Sequence, residues 1–509
     1  MRTDRWAWSL AGLVAGAAGL ATSYFVATLL GVRHSPVVAV AELVVEVSPG
    51  PVVEWAISTL GYYDKPLLVG GILVLLAAAF AVIGLLAARR AWVATLALAV
   101  IAGVGVVAVA VQEAVSPIAY LPLAVGFLTW VLVLEVLTRR LRTPRSADRE
   151  REAPGSSRRG FLLGASSVAV VAAAVAGGGR LLGRARRAVE EERALLRLPR
   201  VTEPRVPRAA RIGLPGVSPW MTHTDDFYLI HTAISLPTIQ PEEWRLRLHG
   251  MVDRELVLSF QDLLDRRRTE AWVTLNCVSN TVGGDLIGNA WWSGVRLEGL
   301  LAEAGVHPDA DAVLQTSEDG WTCGTPLSAL TDHRDAMLAI AMNGRPLPVE
   351  HGFPVRTIVP GLYGFVSATK WVVDLEVTRF DRIEAYWTGK GWAEQAPVRL
   401  ASRIDVPRSG DAVPAGAVRV GGVAWAQQVG ISGVEVAVDG GGWQPMDLAS
   451  APNDDTWVQW AGTVQLAPGD HLVRVRATSR SGEVQTGVRR DVVPDGATGW
   501  HEVEVTAEA

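Results

Sequence analysis

The chain has 509 residues, a net charge of −5 and a pI near 6.0, so it is long enough for several domains and nothing marks it as a nucleic-acid binder. Its apolar share of 49% and mean hydropathy of +0.24 are high for a soluble enzyme, and the excess lies in the first third. The only two cysteines, Cys277 and Cys323, exclude a disulfide framework, a four-cysteine iron–sulfur centre and a structural zinc, and no CxxCH offers attachment for haem.

Four segments, residues 6–30, 67–88, 91–111 and 118–138, are long and apolar enough to cross a bilayer, giving residues 1–138 as a four-span membrane domain. Residues 37–60 are apolar too, but Glu42, Glu46, Pro49, Pro51 and Glu54 interrupt them. Carboxylates are costly in hydrocarbon, so this piece reads as an extracytoplasmic loop with an amphipathic helix. Arg2 and Arg5, then Arg89 and Arg90, then Arg139, Arg140, Arg142 and Arg145 fall where the positive-inside rule wants them, with a cytoplasmic N-terminus.

Residues 139–159 form a charged cytoplasmic linker ending in SRRGFL (157–162), ahead of an Ala/Val-rich run to Gly179. Serine, both arginines, phenylalanine and leucine in register resemble a twin-arginine export signal at an internal position. Residues 160–183 are thus expected to be a signal or membrane helix, with small residues around Ala174 and Ala176 suited to cleavage. This puts everything beyond on the extracytoplasmic side of the cell membrane. Residues 184–212, with the run RARRAVEEERALLRLPR, read as a helix-like tether with a solvated face.

Residues 213–400 mix strands and short helices without a βαβ rhythm, which predicts an α+β domain. WRLRLHG (244–250) alternates as a half-buried strand, LSFQDLLDR opens a helix at Ser259, and WWSGVRLEGLLAEAG (291–305) runs from strand into helix. No glycine-rich nucleotide motif appears there. Residues 401–509 change character: Val434, Val436 and Val438 alternate with outward residues, as do Val473 and Val475 with Arg474 and Arg476. Short alternating strands with regular turns predict an immunoglobulin-like β-sandwich.

Within the α+β region, Cys277 follows a strand-like run and precedes a polar, glycine-rich turn in AWVTLNCVSNTVGGD. A free cysteine is more often a small buried hydrophobe than a ligand. A second stretch, AMNGRPLPVEHGFPVRTIVPGLYGFVSATKW (341–371), changes that balance. Together the two resemble the molybdopterin domain of the sulfite oxidase family. The resemblance implies a Mo-molybdopterin cofactor, with Cys277 as catalytic residue and metal ligand. It implies that His351, Arg356 and Lys370 hold the pterin phosphate, with Asn280, Asp319 and His231 as further cofactor contacts. The chemistry agrees: a soft thiolate suits such a metal, and a phosphate wants charge-assisted donors, bidentate from arginine and point-like from lysine. The resemblance also implies dimerisation through the C-terminal sandwich, hence a homodimer, and a separate electron-transfer partner.

Three departures from the family pattern concern the substrate. The arginine shortly after the family's cysteine (CAGNRR) is replaced by Val282 in CVSNTV, and the arginine of its FVRNH segment is missing from FYLIHT (227–232). The family's tyrosine before KGF falls on Gly389, although Tyr363 and Tyr386 lie nearby. A small anion needs fixed positive charge in its pocket, so sulfite is expected to be a poor substrate. The readings are therefore an oxygen-atom-transfer enzyme for a small oxo-anion or an S- or N-oxide, a methionine-sulfoxide-type reductase of exported proteins, or a non-catalytic adhesion or scaffold protein. The spans carry no histidine in their cores, so they do not resemble a haem protein; His34 lies just outside the first.

Overall fold

The computed structural model describes residues 5–30, 32, 36–49, 63–111, 117–142 and 183–509, with isolated positions between 52 and 60. The export-signal reading of residues 157–179, and nearly all of the preceding linker, lie outside the described residues. The chain divides into two compact units, Met1–Ala188 with Ala233–Ser235, and Val189–Thr232 with Leu236–Ala509.

The first unit is helical: α1 (Arg5–Leu29), α2 (Pro36–Val47), α3 (Asp64–Arg89), α4 (Ala91–Ala110) and α5 (Leu121–Arg142). Four of its helical stretches, Arg5–Leu29, Asp64–Arg89, Ala91–Ala110 and Pro117–Arg139, have the length and composition to cross a membrane. They match the four spans read from hydropathy. Small residues let the helices approach closely: a Cβ on Gly12 would meet the Phe80 carbonyl oxygen at 2.0 Å, so α1 and α3 touch backbone to backbone. Trp130 Nε1 donates to the Gly16 carbonyl at 3.1 Å, joining α5 to α1. Large apolar side chains such as Val74, Leu75 and Trp92 point outward, compatible with a lipid solvent. The stretch around 37–60 does hold a helix, α2, whose Ala39 and Ala41 are fully buried.

The second unit begins inside α6 (Gly183–Leu195). The helix read here keeps a solvated face, with Arg187, Glu191 and Leu195 exposed, while its other side is docked: Val189, 1% exposed, sits in a core with Phe227, Trp292 and Phe353. Further along, the Thr202 amide donates to Glu270 at 2.9 Å and the Ile212 amide to Gln459 at 2.8 Å. Leu196, just past the helix, packs against the same core, so a few apolar residues dock an otherwise charged segment.

Two sheets build the α+β region. One has the order β2 (Leu256–Ser259), β1 (Arg245–Gly250), β10 (Val372–Thr378), β5 (Ala312–Ser317), β6 (Thr322–Pro326). The other runs β3 (Thr269–Asn276), β4 (Ile287–Arg296), β7 (Met337–Met342), β8 (Arg345–Pro346), with β9 (Arg356–Ile358) also paired to β7. The helix read at Ser259 is there, Phe260–Asp265, closed by a reciprocal Ser259–Asp262 capping box. The strand-to-helix run ends at Gly305, whose φ of +73° provides the left-handed cap.

Beyond residue 400 come β11 (Ala401–Val406), β12 (Ala412–Pro414), β13 (Gly416–Trp425), β14 (Ile431–Val438), β15 (Gln444–Pro445), β16 (Asp447–Leu448), β17 (Val458–Leu466), β18 (Gly469–Ser479) and β19 (His501–Glu508). They form two sheets, β11-β13-β17-β16 and β12-β19-β18-β14-β15, around a shared core that includes Val434, Val436, Trp460, Val473 and Val475. The residues read as outward, Arg474 and Arg476, pair with Glu502 and Glu435. This β-domain is hydrogen-bonded to the cysteine-bearing sheet. The Thr274 amide donates to the Asp455 carbonyl at 2.9 Å, the Trp457 amide to Thr274 Oγ1 at 2.9 Å, and Asn453 Nδ2 to the Trp272 carbonyl at 3.0 Å. The outer edge of β3 is thereby covered rather than left open.

Candidate active site

Cys277 stands one residue past the end of β3 and is half-buried. Its amide donates to the Leu286 carbonyl at 2.9 Å, and the Asn280 amide returns to the Cys277 carbonyl at 3.1 Å. Asn280 Oδ1 accepts the Leu286 amide at 3.0 Å, so Asn280 braces the loop that begins at the thiol. A polar loop of this kind needs an internal acceptor for its amides, and the Asx side chain supplies it.

The second half of the site is a turn. The segment Val349–His351 is one turn of 3-10 helix, capped by Gly352 with φ +108°. A Cβ on Gly352 would lie 3.0 Å from Arg356 Cβ and 3.1 Å from Lys370 Cα, so glycine is required to bring these residues together. Arg356 Nη1 donates to the His351 carbonyl at 3.2 Å, and Arg356 Cζ lies 5.2 Å from the Trp292 ring centroid. Lys370 Nζ donates to the Glu350 carbonyl at 2.9 Å. Its neighbour Trp371 donates to the Val349 carbonyl at 2.8 Å, and the His231 ring lies edge-on to Trp371 at 5.9 Å. His231 is thus beside the cradle. Asp319 is in the turn between β5 and β6, where it accepts its own turn's Trp321 amide at 3.3 Å; its hydrogen bonds go to that turn and not to the cradle.

The electrostatics of this cradle are those of a site built for an anion. His351 and Arg356 are each 4% exposed. The hydrogen bonds of Arg356 go to backbone carbonyl oxygens, and among the described residues no carboxylate pairs with it. Burial lowers its pKa to about 10. Burial, then Lys370 and Arg356, push His351 down to about 3, and His351 Nδ1 is buried without a hydrogen-bond partner. Buried cations and an orphaned polar atom are expensive unless an anion arrives to satisfy them.

Beneath the cradle a polar network holds the loop that carries Lys370. Thr357 Oγ1 lies 2.6 Å from Gln315 Oε1 and accepts the Thr369 amide at 2.8 Å, tying β9 to that loop. Cys323 belongs to this network: its Sγ is 3.2 Å from Thr369 Oγ1, and burial raises its thiol to about 11. It is the bland buried cysteine; Cys277 is the accessible one.

Tyr228 connects the two halves, although the family resemblance points to His231, three residues on, rather than to this tyrosine. Its ring stacks on Phe227 at 5.2 Å, and Phe227 meets the His351 ring edge-on at 5.8 Å. Burial, then the Cys277 charge, push the Tyr228 phenol well above its ordinary value, while Arg356 draws it down. The hydroxyl therefore feels both the thiol and the cradle. Burial raises Tyr363 to about 12, and it too feels Cys277. Its hydroxyl accepts the Arg399 amide at 3.4 Å, and Arg399 is ion-paired with Asp495. Tyr386 contacts Lys390 and Trp387. The signal for Tyr228 lies in the FYLIHT segment itself, where it stands beside the buried Phe227.

The Cys277 thiol and the buried cationic cradle suit a metal carried on an anionic organic cofactor. Residues 233–387 match the model of the oxidoreductase molybdopterin-binding domain. The chain is 34% identical over 177 residues to the uncharacterized oxidoreductase YuiH of Bacillus subtilis (strain 168), covering 35% of this chain and 85% of that protein. It is 28% identical over 310 residues to the sulfite oxidase of Gallus gallus, covering 51% of this chain and 67% of that one. It is 29% identical over 259 residues to the mitochondrial sulfite oxidase of Homo sapiens, but spans only 47% of that protein's length. The sulfane dehydrogenase SoxCD of Paracoccus pantotrophus superposes with a TM-score of 0.50 at 23% identity, over 58% of this chain and 85% of that one, which is a likeness of fold. The chain belongs to the sulfite oxidase family of molybdopterin-binding oxidoreductases, and its cofactor is Mo-molybdopterin.

The residues present fit that group. The orphaned His351 Nδ1 and the carboxylate-free Arg356 offer donors for a phosphate, with Lys370 alongside. Among the described residues no three of His, Cys, Asp and Glu gather as a metal site, so a metal here depends on the cofactor's own sulfur ligands with Cys277 in reach.

Proposed function

We propose that the chain is an exported, membrane-tethered enzyme that moves an oxygen atom to or from a small substrate at a metal bound by Cys277. When bound, the cofactor supplies the two-electron oxygen-atom chemistry. The chain's own part is to hold the pterin phosphate through His351, Arg356 and Lys370, and to shape the pocket beside the thiol with Tyr228 and Tyr363. Asn280 keeps the cysteine loop closed, and His231 and Asp319 are secondary contacts in this reading. The C-terminal sandwich is of immunoglobulin type and offers a surface for a homodimer. Family membership sets the non-catalytic reading aside.

The observation that carries the substrate reading is the fate of the arginines. Arg356 is committed to the cradle. Arg399 pairs with Asp495, and Arg403 pairs with Asp405 at 2.6 Å. Arginines already neutralised by carboxylates grip a small anion weakly. A neutral S- or N-oxide therefore suits the pocket better than sulfite, and this favours reduction of sulfoxides, methionine sulfoxide of exported proteins among them. Electrons then come from a separate membrane partner. The test is steady-state sulfite oxidation with ferricyanide beside reduction of neutral sulfoxides with a viologen donor. Activity on neutral oxides with little on sulfite supports the reading, and efficient sulfite turnover overturns it.

A further inference from the structure

The C-terminal β-domain reaches the cysteine loop at two points. Arg403, on β11, spreads its guanidinium over three partners: Nε to Asp405 at 2.6 Å, Nη1 to the Gly284 carbonyl at 2.7 Å and Nη2 to Ser218 Oγ at 2.8 Å. It is 8% exposed. Gly284 belongs to the loop that starts at Cys277: its amide donates to the Thr281 carbonyl at 2.9 Å, and a Cβ there would strike Asn280 Oδ1 at 2.5 Å. Gly284 is therefore packed against Asn280, which is hydrogen-bonded to Cys277 and Leu286.

The second point is His501, at the start of β19. Its Nδ1 accepts the Ile404 amide at 3.0 Å, one residue from Arg403. The ring lies flat against Gly283, where a Cβ would meet Cδ2 at 2.2 Å and Nε2 at 2.3 Å. Gly283 has φ +82°, so backbone conformation and the imidazole together demand glycine. The β-domain also covers the strand leading in, through Gln427 Nε2 to the Thr274 carbonyl at 2.5 Å.

From this geometry we infer that Arg403 is a positioning residue for Cys277: acting from the C-terminal β-domain, it sets the conformation of the loop that presents the thiol to the metal. The β-domain is then part of the active-site architecture, whatever its part in self-association. A planar fork suits the task because three acceptors in fixed directions are satisfied at once, which a lysine cannot do. Asp405 keeps the buried guanidinium paired, so the latch holds without leaving a naked charge. The inference rests on the reading of Cys277 as the metal's thiolate ligand.

The test compares Arg403→Ala and Arg403→Lys with Gln459→Ala. Gln459 Nε2 donates to the Ser218 carbonyl at 2.6 Å, so its loss loosens the same packing of the β-domain without touching the cysteine loop. In the full chain purified without cofactor, the alkylation rate of Cys277 by iodoacetamide is followed by mass spectrometry, with buried Cys323 as internal reference. Arg403→Ala is expected to change the Cys277 rate at least about fivefold, Arg403→Lys to restore it only in part, and Gln459→Ala to leave it unchanged; Cys323 stays unlabelled throughout. The loaded enzyme should show an altered metal–thiolate absorption band in Arg403→Ala alone. Equal Cys277 rates in Arg403→Ala and wild type overturn the inference, as does an equal change in Gln459→Ala. If Arg403→Ala fails to fold, Arg403→Lys carries the same comparison. A wild-type metal band that survives Cys277→Ser would overturn the ligand reading instead, and the alkylation result would still stand on its own.

Discussion

Arg356 donates to the backbone carbonyl of His351, the residue whose own ring nitrogen is left without a partner, so one turn of chain presents a guanidinium and an imidazole to the same buried space. Among the described residues no carboxylate balances either, and burying such groups is costly until an anion binds. Arg356→Met should therefore leave the cofactor-free protein as stable as wild type or more so, while cofactor retention falls about tenfold to a hundredfold, the worth of a charged hydrogen-bonded contact. Thermal melts of the cofactor-free protein and pterin quantification after purification check both halves. A variant that melts lower and keeps its pterin would contradict the prediction.

Acid stability follows from two histidines. His351 is lowered to about 3, mainly by burial, with Lys370 and Arg356 adding to it. His501 is lowered to about 4 by burial and then by Arg403, with Arg489 adding and Asp405 and Glu502 opposing. Each ring stays neutral in the fold at a pH where the unfolded chain has taken up its proton. The unfolded state binds more protons between these values and the ordinary 6.5, so stability is full above 6.5 and declines as pH falls through that window. The limiting slope is about 1.4 kcal/mol per pH unit for each proton. Denaturant titrations of the cofactor-free second unit within the full chain should steepen accordingly, and His501→Gln should flatten the slope. Bound phosphate favours a charged His351, so the cofactor-loaded protein should show a shallower dependence. A pH-independent midpoint between pH 4 and 6.5 would contradict the buried-neutral assignment.

Tyr228 feels Cys277 and Arg356 together, so its hydroxyl is a neutral donor within the field of both thiol and cradle. Tyr228→Phe is expected to keep the metal and lose about two to three decades in turnover, the usual worth of one aligned donor to the reacting oxygen. Metal content and steady-state rate, measured on the same preparation, separate this from a folding defect. Unchanged turnover would confine Tyr228 to packing.

How far the sequence carried can be judged residue by residue. The four long apolar helices were legible because length and hydropathy alone mark them. The helix at Ser259 and the outward Arg474 and Arg476 were legible because capping and period-two alternation are local. His351, Arg356 and Lys370 meet because Gly352 permits it, and a local motif holds all of them. Tyr228 and the Arg403 latch were not legible. The first acts through a partner about fifty residues away in sequence and the second through one more than a hundred away, and no local pattern encodes such contacts. The docking of the charged helix α6 through Val189, with Leu196 just beyond it, was not legible, because a few apolar residues do not stand out in a charge run.

The export reading rests on Arg158 and Arg159. Replacing both with lysine should hold the C-terminal unit in the cytoplasm while the preceding spans still insert, because a twin-arginine signal distinguishes arginine from lysine and a simple basic flank does not. Protease protection in spheroplasts reads the outcome. If the catalytic unit remains accessible from outside, the pair is a basic flank only.

The central claim is that Cys277 binds the metal of a molybdopterin cofactor held by the buried cradle. Molybdenum and pterin quantified on purified wild type and Cys277→Ser test it most directly, alongside turnover normalised to metal. A hydroxyl is a harder ligand that deprotonates far less readily than a thiol, so the metal chemistry should fail even where the pterin stays. The account predicts about one molybdenum and one pterin per wild-type chain, and a serine variant that keeps pterin through His351, Arg356 and Lys370 but loses its metal or its turnover. A serine variant with full metal and wild-type turnover would contradict it.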